Sequence, residues 1–242
     1  SGRQAGAAGA VAMATSLVVA EKGVEGYPPL LGALVLYGGW ILWLYVGMVW
    51  STWNFAWVFV GLFSGLAFYV GGFKMLMYFL IPLALQRRPA TIWSKMKQPD
   101  FYLAILILGG FILLWLAPQW MTYGERTMLE PEPFQFHAGK WLMHVVQFPF
   151  EFLVRFFPWS LMMWAPFCAA LIPLEGNPIL MKFHRTLFWG LAVLLWLDPA
   201  TKARDMIYLA PVVAVLVGMS YWIVVRRYGG FFCRLFRWMS YL

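Results

Sequence analysis

The chain has 242 residues, of which 62% are hydrophobic, 19% aromatic and only 12% charged. Water-soluble domains hold roughly 45–50% apolar residues, so this composition excludes a soluble fold. It points to an all-α integral membrane protein, a polytopic bundle of about seven to eight hydrophobic helices, some short or broken. The net charge of +8 does not indicate nucleic acid, because Lys and Arg gather in short loops between apolar runs, where they orient spans and meet anionic headgroups.

The opening "SGRQAGAAGAVAMATSLVVAEKG" is too long in its apolar part and too weakly basic in its flank for a signal peptide, and reads as a helix. A span needs about 20 residues, and lipid-exposed backbone must be helical. The apolar runs in order are 5–20, 29–50, 54–70, 74–86, 101–118, 151–173, 186–197 and 206–225. Several are short, so interruptions are expected at Gly71-Gly72 and Asp198-Pro199, and broken helices are tolerated where they line a cavity. Gly61 and Gly65 have the small-xxx-small spacing of close helix packing. Asp100, after Pro99, reads as a helix N-cap.

Threading the runs back and forth puts Arg3, Arg87, Arg88, Lys95, Lys97, Lys182, Arg185, Arg226, Arg227, Arg234 and Arg237 on one side, which the positive-inside rule makes cytoplasmic. The other side receives Lys22, Lys74, Lys202 and Arg204 together with Glu25, Asp198 and Asp205. Mixed charge near helix ends marks a site more than a topology signal. The same outer side carries residues 119–147, where Pro-punctuated turns lead into Trp141, Val145, Phe148 and Phe152 at helical spacing. This is the pattern of an amphipathic interfacial helix, which would feed a span over 151–173. Residues 1–225 thus read as the membrane domain and 226–242 as a basic cytoplasmic interfacial tail, with no soluble domain.

Three stretches together are similar to the polyprenyl-phosphate-sugar glycosyltransferases of the GT-C superfamily, family 39, which includes the lipid A aminoarabinose transferase. "WVFVGLFSGLAFYVGGFKMLMYFLIPLALQRRP" (57–89) resembles a helix pair with a "GLAFLTKGP"-type junction. "FFPWSL" (156–161) resembles an "lPW" lead-in to a late span. "LDPATKARDMIYLAPVVAVLVG" (197–218) resembles a "K/R-x-R…YLLP" element through Lys202, Arg204, Tyr208, Leu209 and Pro211. At the junction the chain has Gly71 where the family often carries Lys, and the nearest cation is Lys74. The family's catalytic acid lies in a first outer loop, so the chain reads as a member lacking its N-terminal third, and no catalytic residue is assigned.

The resemblance implies transfer of a sugar from a polyprenyl-phosphate donor to an acceptor at the outer leaflet of a bacterial inner membrane. Lys202, Arg204 and Tyr208 would meet the lipid phosphate, Arg as a bidentate grip and Lys as a point charge. Glu25, Lys22 and Lys74 would lie on the acceptor or metal side, with a divalent metal the cofactor to consider. A metal set from His137, His144, Glu130 and Glu132 lacks HxxxH or HExxH spacing, and His184 reads as a cytoplasmic loop residue. Cys168 and Cys233 form no CxxC, which excludes a zinc ribbon or redox pair. The implied partners are a polyprenyl-phosphate sugar, membrane lipid and further membrane subunits. The alternatives are a non-catalytic GT-C-like scaffold subunit and a transporter; few charges fall mid-span, which weighs against transport.

Overall fold

A computed structural model describes residues 2–23, 28–50, 53–87, 96, 99–123, 138–168, 177–228, 230, 234 and 237–238. The described residues form an all-α membrane bundle. Its helices are α1 (Gly2–Thr15), α2 (Leu17–Gly23), α3 (Pro28–Val49), α4 (Trp53–Ala84), α5 (Pro99–Tyr123), α6 (Ala138–Arg155), α7 (Pro178–Leu197) and α8 (Ala210–Tyr228). Five segments among them are long and apolar enough to cross a membrane: 29–49, 53–84, 99–118, 178–197 and 204–223.

The expected first run breaks at Ser16, for a local reason. The Thr15 hydroxyl donates to the Val11 carbonyl at 2.7 Å and that of Ser16 to the Met13 carbonyl at 3.0 Å. Such back-bonding competes with the helix ladder and bends it.

α4 is a hairpin. Thirty-two straight helical residues would measure about 48 Å, far beyond a hydrocarbon core of about 30 Å. Gly71 (φ −150°, ψ 24°) and Gly72 (φ 64°, ψ −153°) leave the helical region, and the chain reverses there. Both arms then run along α3. A Cβ placed on Gly39 would strike Phe63 of the first arm and Phe79 of the second, while one on Gly32 would meet Val70 and Met75. The Trp40 indole donates to the Phe79 carbonyl at 3.0 Å, fixing the second arm against α3.

α5 packs on the first arm through the two small residues at 61 and 65. A Cβ on Gly61 would lie 2.7 Å from the Ala104 carbonyl oxygen, and one on Gly65 would enter the Phe111 ring. Only 6% of the α5 span is buried, against 72% of 204–223, so α5 is peripheral and α8 central. α8 runs antiparallel to α1, with Ala5 beside Gly218 and Gly9 beside Ala214. Asp100 lies inside α5, in its first turn, and not at the N-cap expected from sequence, because the helix already begins at Pro99.

Two further expectations need correction. Residues 151–173 do not form a span over their described part: α6 ends at Arg155, a cis peptide joins Phe157 to Pro158, and short 3-10 turns follow at Trp159–Leu161 and Ala165–Phe167. The Trp159 indole bonds Thr15 at 2.9 Å and the Ser160 hydroxyl bonds the Leu153 carbonyl at 3.0 Å, which holds the segment as a compact knot. His184 is not in a loop. α7 begins at Pro178, with Asn177 accepting from the Leu180 N–H at 3.0 Å as N-cap and Pro178 in the first turn, so His184 is helical and 1% exposed.

α6 covers the stretch where a helix is expected. Phe148 and Phe152 are buried while Leu142, Met143, Val146 and Phe150 are exposed. Its ties to α7 satisfy carbonyls that a helix end leaves orphaned: the Trp141 indole donates to the Leu197 carbonyl at 3.1 Å and His144 Nε2 to the Leu195 carbonyl at 3.3 Å. In return the Trp196 indole donates to the Val145 carbonyl at 2.7 Å.

Candidate functional site

The second arm of α4 and α7 run antiparallel, so Lys74 meets Asp198 at one end and Gln86 meets Phe183 at the other. This separates Arg87, Lys182 and Arg185 from Lys74, Lys202 and Arg204 along the bundle axis. At the Lys74 end a cavity of about 350 Å³ opens between the α4 reversal, the start of α3 and the α7–α8 connection. Lys74, Tyr78, Lys202, Arg204, Asp205 and Tyr208 line it.

The α7–α8 connection supplies four of these and explains how three of them converge. Residues 203–209 form a seven-residue 3-10 helix, a length uncommon for this conformation. With three residues per turn, positions 202, 205 and 208 stack on one face; in an α-helix the third would rotate away. Pro211 then sits in the first turn of α8, where its missing N–H costs nothing.

Two carboxylates fix this geometry. Asp198 Oδ1 accepts from the Ala200 N–H at 2.9 Å, and its Oδ2 accepts from the Tyr78 hydroxyl at 2.9 Å and from Lys74 Nζ at 2.8 Å. Asp205 Oδ2 accepts from the Lys202 N–H at 3.0 Å and stands 4.0 Å from Lys74 Nζ. Burial pushes the Asp198 carboxyl up, but the Lys74 ammonium, the Ala200 N–H and the Tyr78 hydroxyl together outweigh it and hold the group below the usual carboxylate range. Tyr78 also lies within 3.4 Å of the Thr201 hydroxyl and stands 6.1 Å, ring to ring, from Tyr208. The Lys74 ammonium sits 5.6 Å from the Tyr78 ring centroid, as cation and ring four residues apart on one helix can.

Lys74, Lys202 and Arg204 stand with Asp198 and Asp205 around this cavity. Lys202 and Arg204 are exposed, on a backbone held by both carboxylates. Chemically the arrangement suits an anion at the edge of the apolar slab. Among the described residues no group of three His, Cys, Asp or Glu side chains is placed to hold a metal ion.

Of the residues singled out from sequence, Lys74, Lys202, Arg204 and Tyr208 come together in this cavity. Lys74 therefore shares the wall of the other cations, and it starts the returning arm after the break at Gly71-Gly72. Glu25 and the Lys22 side chain lie outside the described residues, as do His137, Glu130 and Glu132. His144 is engaged with α7. Sequence reasoning missed Tyr78 and Thr201, and it noted Asp198 without its partner. The i, i+4 spacing of Lys74 and Tyr78 was the one available signal.

A second, larger cavity of about 620 Å³ lies between α1, α3, α7 and α8 and is almost wholly apolar, with Leu34, Leu180, Pro211, Ala214 and Met219 in its wall. Asn177 and Tyr37 are polar residues in its lining, and the Tyr37 hydroxyl lies 3.1 Å from His184 Nε2. His184 Nδ1 stands 2.9 Å from the Leu180 carbonyl. A carbonyl only accepts, so Nδ1 carries the proton and Nε2 accepts from Tyr37. Pro211 and Leu34 lie one turn or so below Tyr208 and Pro29 of the charged cavity. Comparison with protein-family models, with curated proteins and with solved structures finds no match.

Proposed function

We propose that this chain belongs to a GT-C-type glycosyltransferase that takes a sugar from a polyprenyl-phosphate donor at the extracytoplasmic face of a bacterial inner membrane. Lys202 and Arg204 contact the donor's phosphate, with Tyr208 beside them. The observation that carries the reading is that four residues marked by the resemblance, Lys74 on one element and Lys202, Arg204 and Tyr208 on another, line one cavity at one end of the apolar helices. A lipid phosphate lies at that depth, and developing charge on a leaving phosphate is stabilised by fixed cations. The apolar cavity starting just below supports the reading, since a lipid-linked donor presents a hydrocarbon chain under its headgroup.

One observation favours a second reading, a lipid-anion-binding scaffold subunit within a larger membrane assembly. Both carboxylates at the cavity are engaged, Asp198 by Lys74, Tyr78 and Ala200 and Asp205 by the Lys202 N–H. Neither is disposed to take a proton from an acceptor, so the base must come from elsewhere.

Exchanging Lys202 and Arg204 together for Gln tests the anion site. Each charge-assisted contact is worth about 1.5–3 kcal/mol, so the double variant should bind dodecyl phosphate at least about 100-fold more weakly. Transfer from a polyprenyl-phosphate sugar should fall in parallel; no transfer by either protein, with anion binding present in wild type and lost in the variant, selects the scaffold. Undiminished binding in the double variant refutes both readings.

A further inference from the structure

We infer that Asp198 is a positioning residue for the anion site: it clamps the Lys74 ammonium at the cavity wall so that Lys74 acts as a third, fixed cation beside Lys202 and Arg204. This rests on the anion-site reading and names a residue that the resemblance does not mark.

The clamp is built from both sides. Lysine carries its charge on a four-carbon stem, and holding the head in one place costs rotamer entropy. Lys74 has a side chain 40% exposed, so packing alone does not hold it. Asp198 is itself rigid. It caps the end of α7, its own N–H donates to the Leu194 carbonyl at 3.2 Å, and one carboxylate oxygen is tied to the Ala200 N–H. The other oxygen takes Lys74 at 2.8 Å and the Tyr78 hydroxyl at 2.9 Å, so two groups one turn apart on the second arm of α4 are pinned to the connection that bears Lys202 and Arg204. An ammonium has three donors. Asp198 occupies one, and Asp205, at 4.0 Å, is beyond hydrogen-bond reach, so the ammonium keeps donors for a bound anion.

Two effects of Asp198 on an anion oppose each other, and this makes the inference decidable. Its negative charge repels the anion; its grip on Lys74 supplies an ordered cation. A carboxylate that only repelled would make Asp198→Asn bind anions more tightly. A clamp makes the same variant bind more weakly, because the freed Lys74 must be ordered again on each binding event.

The experiment titrates dodecyl phosphate onto the full chain in neutral detergent, comparing wild type with Asp198→Asn, Asp198→Glu, Lys74→Gln and the Asp198→Asn/Lys74→Gln double variant, with thermal unfolding to confirm the fold. Asp198→Asn and Lys74→Gln should each weaken binding about tenfold, the loss of one charge-assisted contact. The double variant should be no weaker than Lys74→Gln, since the two residues act as one unit. Asp198→Glu, which keeps the ion pair, should bind within about threefold of wild type, a rescue that loss of fold would not produce. Tighter or unchanged binding by Asp198→Asn, or additive losses in the double variant, overturns the clamp while the anion site stands. Folded wild type that does not bind dodecyl phosphate removes the anion site and the clamp with it. Should Asp198→Asn not fold, Lys74→Gln binding as wild type does overturns the inference, and weak Lys74→Gln beside rescued Asp198→Glu supports it.

Discussion

The second arm of α4 and α7 meet at two polar points, and the two are handled differently. At one end Gln86, 1% exposed, donates to the Phe183 carbonyl at 3.1 Å, and His184 is closed between Leu180 and Tyr37. The partners in these contacts are all neutral. At the other end Lys74, Tyr78 and Asp198 also join the two elements, yet two of the three are charged, and further cations stand around an open cavity. In a low-dielectric surrounding, neutral bonds that satisfy every donor are the inexpensive way to join helices, whereas ion pairs there carry a desolvation cost. The contrast indicates that the first contact is built for stability, and that the second retains charge for something beyond it.

The largest effect expected is at the reversal that brings the charged end together. Gly72 sits at φ 64°, ψ −153°, with open space where a side chain would go. The obstacle to substitution is therefore conformational, and this region is essentially confined to glycine at a cost of about 1–3 kcal/mol for other residues. Gly72→Ala should lower stability in detergent by about 2–3 kcal/mol and weaken dodecyl phosphate binding as well, because Lys74 and Tyr78 follow directly on the returning arm. A smaller effect is expected at the neutral end. Gln86→Leu removes a buried hydrogen bond to the Phe183 carbonyl, which keeps its helical partner, and should cost about 0.5–1.5 kcal/mol in thermal or denaturant unfolding, with anion binding unchanged. Should Gln86→Leu abolish anion binding in folded protein, the division between the two ends is lost.

Much of this arrangement is legible in the sequence, for reasons tied to particular residues. The apolar runs give the spans because lipid imposes helix on them, and Gly71-Gly72 marks the reversal because it interrupts a run too long to cross once. Small residues at 61 and 65 announce the α5 contact. The segment after Arg155 defeated the same logic: "FFPWSLMMWAPF" is apolar enough for a span, but its bonds to Thr15 and Leu153 fold it into turns. His184 was misplaced because Lys182 and Arg185 flank it, and only the structure supplies Tyr37 to satisfy its ring. In the site, Lys202, Arg204 and Tyr208 carry their meaning in local order. Asp198 does not, since nothing local says that its cation is Lys74, on an element far away in the chain, and not the neighbouring Lys202.

The smallest predicted effect is also the one that isolates charge from geometry at the Lys74 end. The Asp198 carboxyl is held below its ordinary value by Lys74, Ala200 and Tyr78 against the opposing effect of burial. A carboxylate with a folded pKa below its unfolded value, about 3.9, contributes stability above that unfolded value and loses it as pH falls through the folded one. Wild type should therefore be more stable than Asp198→Asn at neutral pH by no more than about 1 kcal/mol, because the pair is partly exposed and screened by solvent. That gap should close as the pH is lowered past about 4, read as converging melting temperatures from pH 7 to pH 3. Asn keeps the shape and one oxygen to accept from the Ala200 N–H, while its amide N–H stands where Oδ2 accepts from Tyr78, much as the hydroxyl of a protonated Asp198 would, so a gap that persisted at the acid end would mean that the difference does not come from the charge, and the charged contrast with the Gln86 end would have to be abandoned.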